Sequence, residues 1–275
     1  MVPRATRRLA THLALGVSVV VVAFPLLYAF VVSTEDFREL FEYPPRLLPS
    51  RWMVDNYTHA WQKVNLGRLM LNSTGISTAV ALGKIVLSLL AAFAFTYFPD
   101  FWGKRLFFVM ILVTHMLPLP VRIVPTFQLM HGFGWVNTYH ALTVPFFASA
   151  TGTLLFRQLF LTVPSSLSDA ARVDGAGPIQ FLLRILVPLS WTNILALFMV
   201  EFVYMWNQYL WPLIVTTSEE MRVAQIGIKM LVATDAQAEW NVIMAGVMVV
   251  MLPPLLILLA FQNHFLRSVT FAQEK

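Results

Sequence analysis

Six stretches of mostly apolar residues, near 11–33, 69–98, 105–125, 139–160, 188–215 and 241–263, each reach the roughly 20 residues a helix needs to cross a hydrocarbon core of about 30 Å. Backbone groups in lipid must be satisfied within their own segment, which leaves helices as the economical solution for spans of this length. The chain is therefore expected to be an all-α membrane protein with six transmembrane helices, forming a single transmembrane domain over residues 1–275. Only 12% of its residues are charged against 58% hydrophobic, about half the charge fraction of a soluble domain. Arg4, Arg7 and Arg8 precede an apolar stretch from Leu13 to Val32. That stretch is longer than a signal-peptide core and lacks a small-residue cleavage site, so it reads as an uncleaved first span.

Placing the N-terminus in the cytoplasm puts ten basic and four acidic residues inside, among them Lys104, Arg105, Arg157, Arg172, Arg184, Arg267 and Lys275. The outside segments then hold eight basic and nine acidic residues. This asymmetry follows the positive-inside rule and predicts both termini in the cytoplasm. Trp102, Trp135, Trp191 and Trp240 fall near span ends, where indoles anchor at the interface. The first external loop, about 34–67, mixes Pro44, Pro45 and Pro49 with Trp52, Tyr57 and Trp61, which predicts a partly ordered cap.

The net charge of +5 comes without a basic low-complexity run, so nucleic acid is not an expected partner, whereas membrane lipid is. With no cysteine, disulfide and thiolate chemistry are excluded, and His115, His131, His140 and His264 show no metal-ligand spacing. A phosphate-cradling Gly-x-x-x-x-Gly-Lys-Ser/Thr loop is missing, since neither Gly83-Lys84 nor Gly103-Lys104 is followed by Ser or Thr. The chain cannot hydrolyse ATP by that chemistry, so any driving force has to come from a partner or from a gradient.

The most specific motif lies in the predicted cytoplasmic segment 161–187. Asp169-Ala170-Ala171-Arg172-Val173-Asp174-Gly175 is followed by nine residues and then Ile185-Leu186-Val187-Pro188. Pro164 interrupts the preceding span, and Ser166 with Asp169 three residues on forms a candidate capping box. Gly175 can close the short helix in a left-handed conformation, and Pro178 is suited to opening the next one. The spacing resembles the EAA loop of ABC-importer permeases, with Asp169 in place of Glu and Val187 in place of Leu. Leu71-Asn72-Ser73, Leu82-Gly83-Lys84-Ile85, Met116-Leu117-Pro118, Val121-Arg122-Ile123, Ala148-Ser149-Ala150-Thr151, Leu155-Phe156-Arg157-Gln158 and Trp206 to Leu213 are similar to the carbohydrate-uptake, maltose-type branch of that family, nearest the permeases of glycerol-3-phosphate importers.

That resemblance implies a type I ABC importer permease fold with a cytoplasmic coupling helix, in which Asp169, Ala170, Ala171, Asp174 and Gly175 meet the ATPase. It implies a heterodimer with a second permease subunit, two copies of a cytoplasmic ATPase that bind ATP and Mg, and an extracytoplasmic substrate-binding protein, all at the bacterial inner membrane. The solute would be sn-glycerol-3-phosphate or a glycerophosphodiester, with a maltose- or trehalose-type sugar as the alternative.

Charges at membrane depth are costly and usually face the protein interior or a water-filled path. Lys84 and Glu201 fall near the middle of their spans, where they could pair with each other, line the substrate path, or find separate partners. Arg122 sits among Pro118, Pro120 and Pro125, which interrupt a helix. It either snorkels to headgroups or holds an anionic solute bidentately. Asn207 and Gln208, flanked by Trp206 and Tyr209, suit polyol hydroxyls, with helix-to-helix hydrogen bonding as the alternative. A gradient-driven carrier would need coupling carboxylates, for which Glu201 alone offers itself. An intramembrane enzyme would need a nucleophile with a base, or a metal cluster, and none is evident.

Overall fold

A computed structural model describes residues 4–233 and 238–270, and every regular element among them is helical. In chain order these are α1 (Arg4–Val32), α2 (Met53–Lys63), α3 (Leu66–Tyr97), α4 (Lys104–His115), α5 (Leu119–Gly132), α6 (Tyr139–Thr143), α7 (Ala150–Leu161) and α8 (Ser165–Val173). They continue with α9 (Pro178–Phe181), α10 (Val187–Leu189), α11 (Trp191–Trp206), α12 (Leu210–Val215), α13 (Ala224–Ala233) and α14 (Trp240–Thr270). Expectations for Lys275 lie outside the described residues, as do those for the side chains of Arg4, Arg7, His115, His264 and Arg267.

Among the described residues, three segments are long and apolar enough to cross a bilayer unbroken: Thr11–Val32, Leu66–Tyr97 and Trp240–Gln262. Two further pairs are bent, Tyr139–Phe146 with Ala150–Leu161 by 41° and Pro178–Leu189 with Trp191–Trp206 by 76°. The stretch expected as one span over 105–125 is instead two helices of 12 and 14 residues. Pro120 has no N–H to donate back to the preceding turn and Pro118 pushes its neighbour out of the helical region, so the chain breaks at 116–118 and restarts. Pro125 stays inside α5. The fifth predicted span, 188–215, is not continuous: the chain bends before α11 and breaks again between Trp206 and Leu210. A π-turn over Leu182–Leu186 links α9 to α10, the local adjustment a helix makes where Pro188 cannot supply its backbone bond. Ser190 then donates its hydroxyl to the Leu186 carbonyl at 2.6 Å, at the corner before α11.

By internal packing the chain forms two compact units. The division runs through α3, α13 and α14, so no linker marks it. The first unit comprises residues 1–68 and 227–252. Its α1 exposes apolar side chains such as Val22 and Val19, the surface a bilayer or an apolar partner covers, and only its C-terminal end is buried. There Asn56 from α2 donates to the carbonyls of Ser33 at 3.0 Å and Glu35 at 2.8 Å, and accepts from Asn241 of α14 at 3.0 Å. Trp52 and Ser50 bond the Thr34 backbone and hydroxyl, and Lys63 pairs with Glu239 at 2.8 Å. Because one buried amide satisfies three groups, Asn56→Ala is expected to cost about 1–3 kcal/mol, read as a lower thermal midpoint of the purified protein.

The second unit, 69–226 with 253–275, has a core in which Ile85, Leu89, Phe93, Phe156, Phe181 and Leu197 meet. Helices α3, α7 and α11 pack closely here. A Cβ at Gly152 would overlap Ser88 and Leu197, the small-residue contact typical of membrane helix interfaces. Ala171 of α8 belongs to the same core, so the short helix is rooted in the bundle.

Candidate functional site

The Lys84 ammonium on α3 donates to Glu201 Oε2 on α11 at 2.5 Å. The second carboxylate oxygen, Oε1, accepts from the Ser149 hydroxyl at 3.2 Å. That hydroxyl also receives the Gly152 N–H at 3.1 Å, and so caps α7 at the bend after Phe146. The Tyr204 ring lies 4.9 Å from the ammonium, a cation–π distance. Side-chain exposures of 9% and 8% show why the arrangement is needed: an unpaired charge buried to this degree would cost several kcal/mol. Of the alternatives that the sequence leaves open for these two residues, the structure realises the pair.

The pair borders a cavity of about 560 Å³ whose wall includes Arg122, Ser149, Thr153 and Tyr204. Arg122 arrives from the first turn of α5, which exists because the chain breaks and restarts at Pro118. Among the described residues its guanidinium has neither an ion pair nor a hydrogen-bond partner, and the residue is exposed. Lys84 and Glu201 cancel. The wall thus carries an ion pair, hydroxyls, an aromatic face and a cation available to a ligand, a set suited to a small anionic polyol.

Asn207 and Gln208 are not brought to this cavity. Helix α11 ends at Trp206, and Asn207 serves its C-terminus, donating to the Val203 carbonyl at 2.9 Å while accepting from Gln225 at 3.3 Å. Gln208 donates its backbone N–H to Met205 at 3.1 Å.

In the loop motif, α8 begins at Ser165 with Pro164 in the cap position and no side-chain cap bond. The capping box expected from Ser166 and Asp169 does not form. Asp169 instead lies 3.8 Å from Arg172, one turn on along the exposed side. The other end behaves as the sequence predicts. Gly175 has φ of +77°, its N–H bonds Arg172 O at 3.0 Å, and Ala176 N–H bonds Ala171 O at 2.8 Å. Those two bonds make a Schellman motif with glycine in the left-handed position. Gln180 then accepts the Gly177 N–H at 3.2 Å as Pro178 opens α9.

Ala171 faces the core while Asp169, Ala170 and Asp174 are exposed. Arg172 stacks 5.1 Å over the Tyr97 ring and donates to its hydroxyl at 3.3 Å. This bond, with Asp169 a smaller contributor, holds the guanidinium above its ordinary value. A groove of about 310 Å³ runs beside the helix between Tyr97, Pro164, Ser168 and Phe181. The result is a short helix capped at one end, rooted in the bundle by Ala171 and Arg172, with a polar face open to a partner.

Ser149, Tyr204 and Tyr97 were not singled out as site residues by sequence reasoning. Each acts on a residue of another helix, and the serine is 52 positions from its carboxylate, so no local pattern announces it.

Residues 84–271 match the family described as binding-protein-dependent transport system inner membrane component. The chain is 43% identical over 274 residues, 97% of each chain, to the sn-glycerol-3-phosphate transport system permease protein UgpE of Agrobacterium fabrum. It is 41% identical over 271 residues, 96% of each, to the protein of that name from Salmonella typhi. A crystal structure of a bacterial ABC transporter involved in the import of the acidic polysaccharide alginate superposes with a TM-score of 0.84 at 20% identity, covering 96% of this chain and 99% of that one. A second, of the bacterial alginate ABC transporter in complex with alginate pentasaccharide-bound periplasmic protein, gives 0.66 at 15% identity, covering 97% of each chain. At these identities the two structures speak to fold, which is the type I permease fold.

Proposed function

The chain belongs to the family of binding-protein-dependent transport system inner membrane components, and on that premise we propose that it forms half of the pathway by which an ATP-driven importer takes up sn-glycerol-3-phosphate or a glycerophosphodiester. A second permease subunit supplies the other half, and an extracytoplasmic binding protein delivers the solute. Two ATPase subunits, carrying ATP and Mg, grip α8 from the cytoplasm. Both termini then lie in the cytoplasm of the bacterial cell.

The observation that carries the solute class is Arg122, a guanidinium without a partner among the described residues on the wall of a 560 Å³ cavity. A phosphomonoester would meet it bidentately, while the hydroxyls and Tyr204 face the glycerol end. Likeness over 97% of the chain to permeases named for that solute supports the same assignment. The coupling role rests on α8, whose exposed carboxylates and closed C-terminal turn form a unit that moves as one body. Both oxygens of Glu201 are engaged, which leaves no free carboxylate for ion coupling on the described cavity wall.

Arg122→Gln keeps polarity and approximate length but removes the charge. Uptake of glycerol-3-phosphate at equal membrane abundance should fall at least about tenfold, since a charge-assisted bond goes with it. Unchanged uptake across concentrations would remove Arg122 from the path. Orientation has its own check in a chain without cysteine. An impermeant maleimide applied to intact cells should label Val54→Cys in α2, and should label Trp102→Cys only after the membrane is opened. The reverse pattern would overturn the topology.

A further inference from the structure

We propose that the Lys84–Glu201 pair sets the charge selectivity of the cavity: Glu201 cancels Lys84, so Arg122 alone gives the space its sign, and the solutes admitted are small organic anions. The proposal rests on the cavity being part of the solute path, as read above.

Three cationic or anionic side chains line this cavity among the described residues, Lys84, Arg122 and Glu201. Two of them are 2.5 Å apart. Seen from a few ångströms away, such a pair acts as a dipole, whose field falls off faster than that of a lone charge. Arg122 has no opposing group, so its field reaches across the space. A cleft with low-dielectric walls and one sign of charge concentrates ions of the other sign by about ten- to a thousandfold.

The pair is also built to stay closed. Ser149 fixes one carboxylate oxygen while capping α7, and Tyr204 covers the ammonium. Lys84 is thereby kept from acting as a second free cation, which would over-attract an anion and hold it. Release demands that binding be weak enough to leave.

Labelling measures this charge without reference to any particular solute. Ala148 is exposed and lines the cavity, so Ala148→Cys in the assembled importer can be modified by methanethiosulfonate reagents carrying either a sulfonate or a trimethylammonium group. Rates are normalised to those of a free thiol. In this background the anionic reagent should be favoured by about tenfold. Adding Arg122→Gln should bring the ratio close to one. Adding Lys84→Gln with Glu201→Gln should leave the ratio within about twofold of the parent, because a neutral pair is exchanged for neutral amides. Adding Lys84→Gln alone, which frees the Glu201 carboxylate to offset Arg122, should also bring the ratio close to one.

The proposal is overturned if the parent shows no preference, or if the double substitution lowers the ratio as far as Arg122→Gln does. Should the double variant assemble poorly, the exchange Lys84→Glu with Glu201→Lys retains both charges and should again keep the parent ratio. A parent that favours the anionic reagent yet takes up no glycerol-3-phosphate from its loaded binding protein would leave the charge assignment standing while refuting the solute.

Discussion

Glu201→Leu is expected to lower the stability of the protein by about 3 kcal/mol or more, because it strands the Lys84 ammonium in a site where its side chain is only 9% exposed. The carboxylate also accepts a bond from the Ser149 hydroxyl, whose loss adds about 1 kcal/mol. For a chain of this size the thermal midpoint should fall by roughly 6 °C or more, and membrane abundance should fall with it. The partner substitution decides the cause. Lys84→Met in the same chain removes the stranded charge, and replacing a whole buried pair with apolar groups is often neutral or stabilising. Recovery of the midpoint in the double variant is expected. A Glu201→Leu protein with unaltered stability would mean that water in the cavity solvates Lys84 well enough to make the pair dispensable.

Gly175→Val is expected to uncouple transport from ATP hydrolysis while leaving insertion intact. The residue sits at φ of +77°, where a β-branched side chain is a genuine outlier and strain amounts to about 2 kcal/mol. Nothing lies within 4 Å of the position its Cβ would take, so the penalty is conformational, with no clash to relieve. That strain favours opening of the Schellman turn by roughly thirtyfold. Without the turn, α8 no longer ends at a fixed place and the motion of a partner's cleft is absorbed by the loop. Uptake should drop at least about tenfold at normal membrane abundance, with ATPase activity losing its response to loaded binding protein. Gly175→Asn is the matched control, since asparagine tolerates the left-handed region, and it should retain most of the uptake. Wild-type transport by a normally inserted Gly175→Val protein would contradict the lever role.

Helix content and the family were legible because both are written locally. Long apolar runs specify the unbroken helices, and Gly175 with Pro178 announces a turn that the structure closes in the expected hand. Lys84 and Glu201 stood out because a charge within an apolar run needs a reason to be there. What could not be read depends on distant partners or on small backbone choices. Ser149 joins Glu201 only because α7 and α11 pack together. The capping box at Ser166 fails because the helix starts two residues earlier than that box requires, at Ser165 with Pro164 in the cap position, an offset that local propensity does not resolve. Asn207 and Gln208 were expected inside a continuous span, whereas α11 stops at Trp206 and Asn207 bonds back to its last turn. Arg122 could be read either way from sequence, since its role depends on which wall the restarted helix presents.

The most direct test of the whole account is solute uptake into proteoliposomes that contain this chain with its partner permease and ATPase. ATP is enclosed on the ATPase side, and loaded binding protein is supplied at the opposite face. Radiolabelled glycerol-3-phosphate should accumulate only when ATP, the ATPase and the binding protein are all present, and it should do so without an ion gradient. Accumulation by this chain alone, driven by a proton or sodium gradient with no ATPase in the membrane, would contradict it.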